Sequence, residues 1–200
     1  KSMYTSGTIF NYLEYCKMNP KINHYDHGIV GGLWLYDSLV KNYYLSFSRN
    51  KSADFNDFYI NDLHFSTSQF PIFAYLADCI ISHNMWFATD DYTIEQYEKY
   101  GLKQLIPPYA QPVQFNRNPI LFILALADTL EPIKTRSNLD ISPLDVLNNI
   151  ECEFNYKQII LKFKNNDMFN KMTDKINRST NWLDINVHIN NKNNEIVVIF

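Results

Sequence analysis

The chain has 200 residues, 46% of them hydrophobic and 16% aromatic, and its 18 Lys and Arg against 21 Asp and Glu give a formal net charge of −3. That much apolar material can bury a substantial core, which excludes a disordered tail or a disulfide-stapled miniprotein. The mixed, slightly acidic charge supplies no general field for phosphate backbones, so nucleic-acid binding would need a local basic patch, and none is obvious.

From the N-terminus, Ile9, Phe10, Leu13 and Cys16 recur at helical spacing and predict a helix over Ser6 to Met18, with Ser6 or Thr8 as N-cap and Pro20 as its stop. A second helix is predicted from His27 to Tyr44; it is apolar over much of its surface and so reads as central, with Trp34 in the core. Gly31 and Gly32 inside it each cost about 1 kcal/mol against Ala, which points to a close neighbour. Ser46 to Gln69 is rich in Ser, Asn and Asp and reads as a long loop with little regular structure. A helix then runs from about Pro71 to Phe87, and a more exposed one from Thr93 to Leu105. Ile120 to Glu131 is strongly apolar, with Asn118 as candidate N-cap, and Pro143 to Ile150 forms one more short helix. After residue 150 the period changes to two at Cys152, Phe154 and Tyr156 and again at Ile159, Leu161 and Phe163. An amphipathic helix over Asp167 to Trp182 and a hairpin over Ile185 to Phe200 complete the reading. The expected fold is mainly α, a helical bundle over residues 1–150, with a small α+β appendage of ββαββ order over 151–200.

Three widely spaced cysteines, Cys16, Cys79 and Cys152, read as buried thiols of a reducing compartment, hence a cytoplasmic protein. The longest nearly unbroken apolar run, Ile120 to Ala127, falls short of the ~20 residues of a membrane span, and no signal pattern opens the sequence. A start on Lys1 rather than Met reads as a fragment of something longer, with an additional N-terminal domain or a protein partner.

Three of the apolar helices carry polar groups: His27 at one start, His83 and Asn84 late in the next, and Asp128 late in the third. Taken singly, each is an ordinary cap or solvated side chain. Together they would be expensive to bury unpartnered, and a shared divalent metal is the economical explanation, since imidazole and carboxylate are its usual ligands. Asp78, about 140° round the helix from His83, points elsewhere and reads as a core-edge group. No Gly-rich phosphate loop, cysteine zinc spacing or serine nucleophile elbow competes with this reading.

Three strings carry a resemblance: Asp26-His27-Gly28-Ile29-Val30-Gly31-Gly32, Ala77-Asp78-Cys79-Ile80-Ile81-Ser82-His83-Asn84, and Leu124-Ala125-Leu126-Ala127-Asp128-Thr129-Leu130-Glu131. In order and helical setting they resemble the HD-domain superfamily of metal-dependent phosphohydrolases, over roughly residues 5 to 150. The resemblance implies an HD-like bundle with His27, His83 and Asp128 as ligands of a divalent metal, Mn, Mg, Fe, Ni or Zn. The substrate it implies is a nucleotide or another small phosphoester. Asn84 stands where the family's motif has the Asp that helps hold the metal and orients water, and Arg136 would neutralise charge in the transition state. His24, Arg117 and Lys134 are the candidate substrate contacts. The adjacent His-Asp pair that names the family is absent from the chain. Either Asn84 replaces its Asp, or His83-Asn84 corresponds to the family's later histidine and the pair has been lost in the 46–70 loop, where Asp62 and His64 could substitute. The alternative function is a catalytically inactive HD-fold sensor or interaction module that regulates a partner domain.

Overall fold

The structure is a computed structural model and describes residues 6–19, 25–50, 54–83, 91–102, 112–133 and 142–200. Two compact units divide the chain, residues 1–109 and 110–200.

In the first unit, α1 (Ser6–Met18) is followed by α2 (His27–Arg49), which starts on a side-chain cap from Asp26 and runs past its predicted end. The extension has a packing cause. Tyr43 is 1% exposed and Phe47 lies one turn on, and both meet aromatic rings from the segment expected to be irregular. That segment is a hairpin, β1 (Asp57–Ile60) against β2 (Leu63–Ser66), which corrects the loop expectation. Its turn is Asn61-Asp62, both at positive φ (47° and 64°), the two-residue geometry that matches the twist of paired strands and that Asn and Asp tolerate. Phe58 and Phe65 stack at 5.0 Å between centroids and face Tyr43, so the hairpin is pinned to α2 by an aromatic cluster. A short 3-10 turn with a Ser66 capping box leads into α3 (Phe70–Ser82), and α4 (Asp91–Lys99) ends before Gly101 at φ +68°.

Helices α2 and α3 are antiparallel neighbours, and glycine sets how close they come. A Cβ on Gly32 would stand 2.5 Å from Ile81 Cγ1 and 2.6 Å from the Ala77 carbonyl oxygen, and one on Gly28 would stand 2.8 Å from the Ile80 carbonyl oxygen. Gly31 meets Ile80 only at 3.5 Å, an ordinary contact, so the close approach expected at Gly31 and Gly32 belongs to Gly28 and Gly32 instead. Their spacing of four puts both on one face of α2. Behind this contact lies a core of Tyr12, Cys16, Ile29, Leu33, Ala77, Ile81, Tyr97 and Leu102. The opposite side of α2 is open: Trp34 is 69% and Val30 41% exposed, which corrects the expectation that Trp34 packs the core.

The second unit opens with α5 (Pro119–Leu130); Asn118 holds the N-cap position, but its side chain makes no capping hydrogen bond. Next comes α6 (Pro143–Asn148), capped by Ser142 and Asp145. The ββαββ order then follows as β3 (Ile150–Phe154), β4 (Gln158–Phe163), α7 (Asn166–Ser179), β5 (Asn186–Asn190) and β6 (Glu195–Ile199). The sheet is antiparallel with strand order β3-β4-β6-β5. Its buried face packs on the apolar stripe of α7, where Met168, Met172 and Ile176 are fully buried, and α5 packs on α7 as well. The described residues therefore make a mainly helical chain with a C-terminal β part, and none of their helices is long and apolar enough to cross a membrane. Cys16 and Cys79 are buried as expected; Cys152, on edge strand β3, is exposed.

Candidate metal centre

His27 is the first residue of α2, and its position is held through the residue before it. Asp26 Oδ1 accepts the Ile29 N–H at 2.9 Å, which satisfies one of the helix's open donors. The Asp26 N–H donates in turn to the Tyr12 hydroxyl at 2.8 Å. Burial pushes the Tyr12 phenol well above its ordinary pKa, so it remains a neutral hydroxyl. Tyr12 on α1 thus anchors the cap that starts α2 and presents His27 to solvent.

His83 sits at the C-cap of α3, half-buried, with its backbone N–H on the Cys79 carbonyl at 3.1 Å. Its Nδ1 contacts the Ile80 carbonyl. A carbonyl only accepts, so Nδ1 is the donor of this contact, and Nε2 is the ring nitrogen left to face a ligand. The close approach of α2 acts here as well: a Cβ on Gly28 would stand 3.2 Å from His83 Cε1. The two imidazoles meet edge to face, centroids 5.2 Å apart at 71°.

Asp128 lies in the last turn of α5, half-buried. Its carbonyl oxygen accepts the Lys175 ammonium at 2.7 Å, and that ammonium also donates to the Glu131 carbonyl at 3.1 Å, so a cation from α7 closes the negative end of α5. The first unit thus brings two of the three expected donors together, His27 and His83; the third, Asp128, belongs to the second unit. Imidazole nitrogen and carboxylate oxygen are in kind the usual ligands of a divalent transition metal.

The other sequence candidates fall elsewhere. His24, Asn84, Lys134 and Arg136 lie outside the described residues. Arg117 is exposed in the turn before α5, its N–H on the Gln114 carbonyl at 3.2 Å. Asp62 is a turn residue of the hairpin, and exposed His64 pairs across it with Asp57 at 2.9 Å while stacking on Tyr59. Asp78 is half-buried on α3, and burial raises its carboxyl to about 6. Sequence reasoning passed over three supports: Asp26 as cap, Tyr12 beneath it and Lys175 behind Asp128. Only the first has a local signal, an Asp directly before a helix. No family model, curated protein or solved structure matches the chain.

Proposed function

We propose that the chain binds a divalent metal through His27, His83 and Asp128 and acts on a nucleotide or other small phosphoester, as an HD-like phosphohydrolase. What carries the reading is the edge-to-face meeting of His27 and His83 in the first unit, centroids 5.2 Å apart, with the His83 Nδ1 side of the ring turned to the Ile80 carbonyl. The metal, when bound, would supply Lewis acidity toward a phosphoryl oxygen and lower the pKa of water. The chain's own residues hold the donors ready: Asp26 and Tyr12 set His27, the Ile80 carbonyl sets the His83 ring, and Lys175 secures the helix end that bears Asp128. Arg117, Lys134 and Arg136 supply cationic contacts to phosphate oxygens in this reading.

One sequence observation favours the second reading, a catalytically inactive sensor or interaction module: the chain contains no His-Asp dipeptide, so the carboxylate that would orient water is replaced by Asn84. Elemental analysis of the purified chain, with titration by Mn²⁺, Mg²⁺, Fe²⁺, Ni²⁺ and Zn²⁺, tests the site. A screen of nucleotides, p-nitrophenyl phosphate and bis-p-nitrophenyl phosphate tests catalysis. The phosphohydrolase reading requires about one metal per chain with turnover, and at least about tenfold weaker metal binding in His83→Ala and Asp128→Asn. Metal without turnover leaves the module reading, and no metal at all discards the site.

A further inference from the structure

In the second unit, β3 is an edge strand, and Ile150, Cys152 and Phe154 point to the same face as their cross-strand partners Phe163, Leu161 and Ile159 on β4. Helix α7 packs over β4 and β5, while α6 approaches at β3, and among the described residues neither helix fills the sheet face between them. A cavity of about 300 Å³ remains there, closed at one side by Leu130 and Pro132 at the end of α5. Its depth is graded. Met172 and Phe163 form the floor at 0% and 4% exposure, whereas Leu147 and Phe154 stand at the mouth at 53% and 82%.

The lining includes no charged side chain. The acids of β3 point to the other face of the sheet, where Glu153 meets Lys162 at 2.8 Å and Glu151 meets Lys164 at 3.6 Å. A charged or strongly polar group inside would lose its hydration with nothing in return. The volume lies at the lower end of small-molecule sites, and the floor is too recessed for a flat protein surface to reach. We propose that this cavity is a binding site for one uncharged, compact hydrophobic molecule, aromatic or short aliphatic, with Cys152 in its wall. The proposal rests on other residues than the metal reading and stands whether or not metal binds.

The test uses the full chain and the neutral dye N-phenyl-1-naphthylamine. Cys16 and Cys79 are buried, so the rate of modification by Ellman's reagent reports on Cys152. The proposal requires saturable, blue-shifted emission at one dye per chain, and about tenfold slower Cys152 modification at saturation. Leu147→Asp, which places a charge at the exposed mouth, should weaken binding about tenfold, and Cys152→Trp should abolish it by filling the space. The wild-type protection measurement decides the question even if a variant misfolds. Emission that never saturates overturns the proposal, as does saturable emission that leaves Cys152 reactivity unchanged. A concentration-dependent dimer that protects Cys152 without dye also overturns it, because a second copy would then be the occupant.

Discussion

Asp78 carries a carboxyl that burial lifts from 3.8 to about 6, so the folded chain holds its proton across a range where the unfolded chain has released it. Stability from this group is complete below about pH 4 and is lost as pH rises through about 6. Asp78→Asn should flatten the pH dependence of the urea midpoint between pH 4 and 6 and match or exceed the parent above pH 6; parallel profiles for the two would discard the assignment. Asp26 acts in the opposite sense, as a residue the fold cannot lose cheaply. Asp26→Ala should cost about 1 kcal/mol in urea denaturation and weaken metal binding along with it, while Asp26→Ser restores both. A stability loss that leaves metal affinity unchanged would show that the cap does not position His27. At this scale the meeting of His27 and His83 had a signal in the sequence, because both are imidazoles that interrupt apolar runs. The support for His83 could not be, because a ring proton directed at the Ile80 carbonyl depends on how α3 ends.

The two central glycines of α2 separate local propensity from packing. Gly31→Ala adds a methyl at ordinary contact distance and should raise stability by about 0.5–1 kcal/mol. Gly32→Ala presses a methyl against the Ala77 carbonyl oxygen, which helix geometry holds in place, and should lower stability by about 1–3 kcal/mol despite the same gain in propensity. Thermal or urea unfolding of the pair checks the opposite signs, and a shared sign would refute the close α2–α3 contact. Elements with one clean period were readable in advance: α1 has the predicted bounds, and the alternation at Cys152–Phe154 and Ile159–Phe163 marks β3 and β4. The hairpin at 57–66 was hidden because its strands are four residues each and sit among Ser, Asn and Asp; its one signal was Asn61-Asp62 between Phe58-Tyr59-Ile60 and Leu63-His64-Phe65. The five additional residues of α2 follow from that hairpin, since Phe47 is helical where Phe55 and Phe58 wait for it.

Across the second unit, the decisive link joins residues 47 positions apart, Lys175 on α7 and the carbonyl of Asp128 on α5. Lys175→Met keeps the length of the side chain and removes the cation, and should cost about 1.5–3 kcal/mol in urea unfolding. A change within about 0.5 kcal/mol would mean that solvent serves those carbonyls equally well. No sequence pattern announces such a pair, because neither its spacing nor its composition differs from that of an exposed lysine. Order of synthesis gives the same contact a further meaning. A ribosome releases α5 before it reaches position 175, so the carboxylate-bearing helix emerges with an open end that only α7 can close. Chains stalled or clipped ahead of that point would expose α5 to chaperones and proteases, and whatever chemistry Asp128 serves would begin only once α7 has left the exit tunnel.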